Sequence, residues 1–287
     1  MIRNRWFIMR KRYIKLNSKR LISNLMAVFV SVFMLLPFLW MLATSLRLPV
    51  DSFTLPPSFL PKVFHIQNYV EVFRQIPLFS YIINSFFVSI VSTFIQCCVT
   101  AMAAYAFARL EFKGKNILFI MLLSGLMIPV QTTVIPIFLM YKELGLVDTR
   151  IGIILPLLMN PLGIFIMKQY MSTIPKSYDE AGMLDGAGYF QILTRIIGPM
   201  TKPALIVVAV LSFVSSWNDF YRPLILINSE NKMTLPLGMT VLSGFMRNSS
   251  ISIILAGVII SSIPLLIIYI AGQKYFVEGI SLSGLKG

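Results

Sequence analysis

Long apolar runs separated by short polar segments organise this chain. The first run covers residues 21–46, and others follow at 80–107, 117–140, 151–169, 204–227 and 251–272. A helix needs about 20 apolar residues to cross a bilayer, so the pattern predicts an all-α polytopic membrane protein with six transmembrane helices. Residues 1–20 are basic and contain no acid. The run behind them is about twice as long as a signal-peptide core and has no small-residue cleavage site, so an uncleaved first span is expected. Residues 47–79 hold four prolines before Val63 and no span, which predicts an ordered extramembrane loop. Residues 80–272 then form a core of five helices, and 273–287 form a short polar tail.

Spans two and three are joined by the basic turn Arg109–Lys115. A loop with Lys142, Glu143, Asp148 and Arg150 leads to span four, and a polar loop covers 228–250. A further interruption, 172–203, contains PKSYDEAGMLDGAGYFQILTRIIGPMTKP from Pro175 to Pro203. Its charges, prolines and glycines keep it out of the bilayer core, and its pattern is too regular for a slack linker. Ser177-Tyr178-Asp179-Glu180 predicts a capping box, in which the Ser177 hydroxyl and the Glu180 carboxylate each satisfy a free backbone N–H. The helix that follows should end near Gly186 and Gly188, which can adopt positive φ. Tyr189, Phe190, Leu193, Ile196 and Ile197 recur at helical spacing, predicting a second short amphipathic helix stopped by Gly198-Pro199. Two such helices between spans suggest a docking element for another protein.

Composition supports the membrane assignment. The chain is 57% hydrophobic, with mean hydropathy +0.80 and 13% charged residues, where a soluble domain carries about 25%. The net charge of +14 is unevenly placed, with eight of the 25 Lys and Arg in the first twenty residues. That distribution marks a membrane flank and excludes a nucleic-acid surface. With both termini on one side, 17 Lys and Arg fall on that side and eight on the other. Basic loops face the cytoplasm, so both termini and the 172–203 loop are expected there, with 47–79 outside.

The spans also carry polar residues. Span two holds Asn84, Ser85, Ser89, Ser92, Thr93, Gln96 and Thr100. Span three holds Pro129, Gln131, Thr132, Thr133 and Pro136, and span four holds Pro156, Asn160 and Pro161. For any one of these, bonding between helices is the simpler explanation. As a set they favour a bundle that opens along an internal path. Span five contains Trp217-Asn218-Asp219-Phe220-Tyr221-Arg222-Pro223. Asp219 and Arg222 are three apart and can pair on one helix face. Two readings stay open for them: a functional intramembrane site, or a structural ion pair at the outer end of a helix kinked by Pro223.

Several chemistries are excluded. The single histidine, His65, supports neither a metal cluster nor a triad, and no G-x-x-x-x-G-K-[ST] loop occurs. Only Asp219 places a carboxylate clearly within a span, so an aspartate-dyad protease is ruled out. Cys97 and Cys98 are adjacent within an apolar run and read as packing residues. The expectation is a non-enzyme with no catalytic residues, no metal and no directly bound cofactor.

The 172–203 loop resembles the EAA motif of ABC-importer permeases: Glu-Ala-Ala, three residues, Gly, nine residues, Ile, one residue, Leu-Pro. It falls on Glu180-Ala181-Gly182, Gly186, Ile196 and Gly198-Pro199 with every spacing kept. Gly182 stands where the second Ala is usual, and Gly198 where Leu is. Asp185-Gly186-Ala187 narrows the resemblance to the carbohydrate-uptake branch. Asn84-Ser85, Ala104-Tyr105-Ala106-Phe107-Ala108-Arg109, Trp217-Asn218-Asp219-Phe220 and Tyr275-Phe276-Val277-Glu278-Gly279 look like that branch too. Six spans and a short tail are similar to its G-type subunit (MalG-type), without the extra N-terminal structure of the F-type.

This resemblance implies a type I ABC importer permease fold in a bacterial cytoplasmic membrane, with a cytoplasmic coupling helix. It implies as partners a second, MalF-type permease, two cytoplasmic ABC ATPases that hydrolyse the ATP, an extracellular solute-binding protein, a sugar substrate and membrane lipid. Glu180, Ala181, Gly182, Asp185, Gly186, Ala187 and Pro199 would couple to the ATPase. Trp217, Asn218, Asp219 and Arg222 are candidate pathway residues. By the same resemblance the tail reaches between the ATPases, and the 228–250 loop probes the binding protein. Alternatives are the same machinery for glycerol phosphate or a peptide, a self-sufficient secondary transporter, and a pure membrane anchor.

Overall fold

A computed structural model describes residues 18–53, 60–244 and 250–283, and every element in them is helical. The basic residues before Ser18 and the last four residues lie outside the described part. Three helices are long and apolar enough to cross a membrane: Ile22–Ser45, Leu78–Arg109 and Ile251–Tyr275. They belong to α1 (Ser18–Ser45), α3 (Leu78–Arg109) and α14 (Ile251–Ser283). Before α3, the 47–79 segment folds a short α2 (Gln67–Gln75).

Three further crossings exist only if bent helix pairs each count as one. Lys115–Met127 with Val130–Glu143 bends by 101°, Arg150–Leu157 with Pro161–Ser172 by 43°, and Tyr189–Met200 with Lys202–Trp217 by 85°. The pairs comprise α4 (Lys115–Ser124) and α5 (Val130–Glu143), then α6 (Arg150–Ile154) and α7 (Pro161–Ser172). The third comprises α9 (Tyr189–Ile192), α10 (Gly198–Met200) and α11 (Lys202–Trp217), preceded by α8 (Ser177–Leu184). Each second helix has a proline at its start: Pro129 as N-cap of α5, Pro161 opening α7 and Pro203 in the first turn of α11. Proline is harmless there because those N–H groups have no intrahelical partner.

These breaks correct the expected boundaries. The runs 117–140 and 151–169 are bent pairs rather than single rods. The run 204–227 stops at Trp217, and a separate α12 (Tyr221–Leu226) follows after Asn218–Phe220. Gly198-Pro199 does not stop its helix. A wide π turn over Leu193–Ile197 precedes it, and the chain turns at Thr201 instead. Widening the turn displaces the carbonyl that a proline ring would otherwise meet four residues back. The polar loop 228–250 contains α13 (Leu235–Ser243), whose Leu235, Leu237 and Leu242 are buried. Helix α14 continues through the expected tail as far as Ser283.

The core is gathered around α3. Its Leu78 and Tyr81 pack with Phe213, Trp217, Leu235, Leu242 and Ala256. Val88 packs with Ile153, Leu157, Ile227 and Leu237. Ala104 and Tyr105 pack with Met167, Met171, Ile192, Ile197 and Val208. Ser85, Ser89, Ser92, Gln96 and Thr100 are buried along α3 at helical spacing, so one polar stripe faces its neighbours. The stripe is tied off by the Ser92 hydroxyl donating to Ser216 Oγ at 3.0 Å. Asn160 Nδ2 donates to Gln96 Oε1 at 3.2 Å and Ser212 Oγ at 3.0 Å. Helix α1, in contrast, exposes Val28, Phe29, Phe33 and Phe38, an apolar surface suited to hydrocarbon.

Candidate functional site

The N-cap of helix α8 lies one residue before the expected one. Lys176 is its N-cap, and its carbonyl accepts from the N–H groups of Asp179 and Glu180 at 2.9 and 3.1 Å. Ser177 therefore lies inside the helix and makes no capping bond, which corrects the capping-box expectation. The box partner appears one helix later, where Gln191 Oε1 accepts from the N–H of Gly188 at 3.1 Å. The C-terminus forms as expected at Gly186, whereas Gly188 has φ −75° and is the N-cap of α9. Gly186 has φ +79°, its N–H bonds to Met183 O at 3.0 Å, and Ala187 N–H bonds to Gly182 O at 2.9 Å. That 6→1 and 5→2 pair turns the chain sharply at a left-handed residue.

The two faces of α8 differ. Asp179 and Gly182 are buried, whereas Glu180, Ala181, Met183, Leu184, Asp185 and Gly186 are exposed, Leu184 at 89%. Gly182 lies so close to the next segment that a Cβ there would sit 2.9 Å from Ile196 Cδ1 and 3.1 Å from Ile192 Cγ1. The ends of two isoleucines thus lie directly against the helix at Gly182. Tyr189 and Phe190, also exposed, extend the outward patch. Ala187 packs into the core beneath, and Pro199 is exposed. Met183 and Leu184 form an exposed apolar knob between Glu180 and Asp185, held on a buried footing.

The candidate pathway residues are spread over a helix break. Trp217 is 2% exposed, stacks on Phe213 at 5.6 Å and donates Nε1–H to Ser261 O at 3.2 Å. Asn218 is exposed and donates to Val214 O of its own helix. Asp219 is buried, and Arg222 Nη1 reaches its Oδ2 at 3.2 Å. The pair forms across the break between α11 and α12 rather than along one helix face. Pro223 lies inside α12 and does not make the kink.

At the opposite end from α8, residues not singled out as site candidates form a clamp. Asp148 has φ 57°, a left-handed backbone that Asp tolerates. Its carboxylate accepts from Lys232 Nζ at 2.8 Å, Ser229 Oγ at 2.6 Å and the N–H groups of Asn228 and Ser229. Lys232, then Ser229, hold this carboxyl well below the usual carboxylate range. Asn84 Nδ2 donates to the carbonyls of Asn231 and Met233, and its Oδ1 accepts from Arg150 Nη2 at 3.0 Å. Ser85 Oγ accepts from Leu235 N–H at 2.7 Å. The dipeptide Asn84-Ser85 was visible in the sequence, but its partners lie 66 to 150 residues away, beyond any local signal. Among the described residues no group of His, Cys, Asp or Glu could hold a metal.

Comparison with known proteins accords with this geometry. Residues 98–281 match the family described as binding-protein-dependent transport system inner membrane component. The arabinooligosaccharides transport system permease protein AraQ of Halalkalibacterium halodurans is 33% identical over 80% of this chain and 82% of its own length. The trehalose/maltose transport system permease protein MalG of Thermococcus litoralis is 33% identical over 94% of this chain and 98% of its own. Among solved structures, a chain of a bacterial ABC transporter involved in the import of the acidic polysaccharide alginate superposes with TM-score 0.76. It is 25% identical and covers 91% of this chain and 98% of its own.

Proposed function

This chain belongs to the family of binding-protein-dependent transport system inner membrane components, and from that premise we propose that it is a permease subunit of an ATP-driven importer of oligosaccharides. The observation that carries the reading is the build of α8. Buried Asp179 and Gly182 fix the helix, while Glu180, Ala181, Met183, Leu184 and Asp185 face outward before the Gly186 turn. The reading assigns that face to an ATPase groove. The chain itself binds no nucleotide.

In this reading each bent pair makes one crossing, which brings the spans to six, and α8 and both termini lie in the cytoplasm. A second, MalF-type permease completes the pathway, two ATPases dock on the α8 side, and a solute-binding protein docks at the end held by Asp148 and Asn84. The break after Trp217 lines the pathway, with Asn218 as its exposed polar group and Asp219–Arg222 as its buried support. Helix α1 contacts lipid. The cargo is a sugar or oligosaccharide, in keeping with the arabinooligosaccharides, trehalose/maltose and alginate named for the relatives above.

Purification of the tagged chain from its native membrane tests the assembly. ATPase and second permease should co-purify with it. A cysteine introduced at Leu184, in a background lacking Cys97 and Cys98, should react with an impermeant thiol reagent only from the cytoplasmic side. Isolation of the chain alone, or labelling from outside, would contradict the reading.

A further inference from the structure

The buried face of α8 carries an ion pair that the docking role of its outward face does not use. Asp179 is the third residue of α8, and Arg109 is the last residue of α3. Arg109 Nη1 lies 3.6 Å from Asp179 Oδ2, with the side chains 4% and 9% exposed. Tyr105, one turn earlier on α3 and itself buried, donates its hydroxyl to Asp179 Oδ1 at 3.3 Å. Arg109 Nε and Nη2, and Asp179 Oδ2, make no hydrogen bond although buried.

A buried pair engaged this loosely is a poor device for stability, because desolvation offsets most of its attraction. An acid in the first turn of a helix also favours the helix dipole, but that needs neither burial nor a partner on another helix. What the arrangement does supply is direction: of the helices around it, α8 is tied by charge to α3. Helix α3 suits the role of a rod. It runs unbroken through 32 residues, about 48 Å at 1.5 Å per residue, while three other crossings are bent. At its far end Asn84 and Ser85 hold the carbonyls of Asn231 and Met233 and the N–H of Leu235.

We propose that Asp179 and Arg109 are positioning residues that lock the docking helix α8 to α3, so that movement imposed on α8 passes along α3 to the 231–235 segment at the other end. The proposal rests on the permease reading above. Tyr105 holds the carboxylate in register for the guanidinium. The slack at 3.6 Å leaves the pair room to shorten when α8 is pressed toward α3.

The test uses the whole complex in proteoliposomes supplied with its binding protein and a mixture of labelled arabino- and malto-oligosaccharides. Uptake per ATP hydrolysed is measured for wild type, Asp179→Asn, Asp179→Glu and the apolar double variant Asp179→Leu/Arg109→Met. Both charge-removing variants should assemble and hydrolyse ATP while uptake per ATP falls about tenfold, within the range of ordinary coupling energies. Asp179→Glu should recover most of it. Wild-type uptake per ATP in the double variant would overturn the proposal. So would loss of assembly in both charge-removing variants, which would make the pair a folding element. A wild-type complex that shows no ATP-dependent uptake would overturn the permease reading along with it.

Discussion

The ring of Tyr81 fills the space that a side chain at Gly238 would need, so α13 lies with its backbone directly on α3. Tyr81 also donates its hydroxyl to Glu230 Oε1 at 3.2 Å. One aromatic residue therefore seats both ends of the 230–238 segment. Gly238→Ala should displace the ring and cost about 1–3 kcal/mol, as overpacking of a filled core does. Thermal unfolding of the purified protein in detergent measures it. Combining Gly238→Ala with Tyr81→Ala should cost less than the sum of the two changes, and strict additivity would contradict the contact.

Gly182 and Gly186 should respond oppositely to substitution. At Gly182 the crowding atoms are the ends of Ile192 and Ile196, which can turn aside. Alanine also favours helix over glycine by about 0.5–1 kcal/mol. Gly182→Ala should therefore be close to neutral in stability and uptake. Gly186 has open space around its Cα but a φ of +79°, which costs an ordinary L-residue about 1–2 kcal/mol. Gly186→Val should impair coupled ATP hydrolysis, and Gly186→Asn, better suited to that backbone, should impair it less. Equal effects of Val and Asn would show that the turn does not matter.

Asp148 predicts a pH dependence at the other end of the molecule. Its folded pKa is lowered by Lys232 and Ser229. Its contribution is thus complete above the unfolded value of about 3.9 and is lost as pH falls through the lowered folded value. Thermal stability should be higher for wild type than for Asp148→Asn, by a margin that stays level between about pH 5 and 8. The margin should narrow only in stronger acid. No difference at neutral pH would contradict the clamp.

Asn160 joins three helices. Its Oδ1 caps α7 through Gly163 N–H at 2.8 Å, while Nδ2 serves Gln96 and Ser212. Asn160→Ala leaves buried polar partners unmatched at about 1–3 kcal/mol each. It should lower the unfolding temperature more than Asn218→Ala, whose side chain is exposed and bonds only within its own helix. The reverse order would contradict the interhelical role.

How much of this was legible depends on how local each cause is. The Gly186 turn could be read because positive φ is a property of one residue. The Asp219–Arg222 pair could be read from spacing, although it closes across a break. The capping box at Ser177–Glu180 failed because the Pro175-Lys176 turn starts the helix first, which places Ser177 inside it. The prolines at 129, 161 and 203 were plain in the chain, but bends of 101°, 43° and 85° are set by packing against other helices. Helix α13 was hidden because its short apolar run sits among polar neighbours, and α14 beyond Tyr275 because a polar extension has no membrane period. Asp179, read only as part of a cap, could not be paired with Arg109 from seventy residues away.

The central claim is that α8 takes work from a separate ATPase and the bundle spends it on moving oligosaccharide. Uptake of labelled arabino- and malto-oligosaccharides into proteoliposomes, comparing wild type with Glu180→Lys, tests it most directly. The exposed Glu180 lies on the outward face, so reversing its charge should leave membrane insertion intact and remove ATP-driven accumulation. Wild-type accumulation should require ATP on the α8 side of the membrane. Accumulation without ATP, or unchanged ATP-driven uptake by Glu180→Lys, would contradict the account.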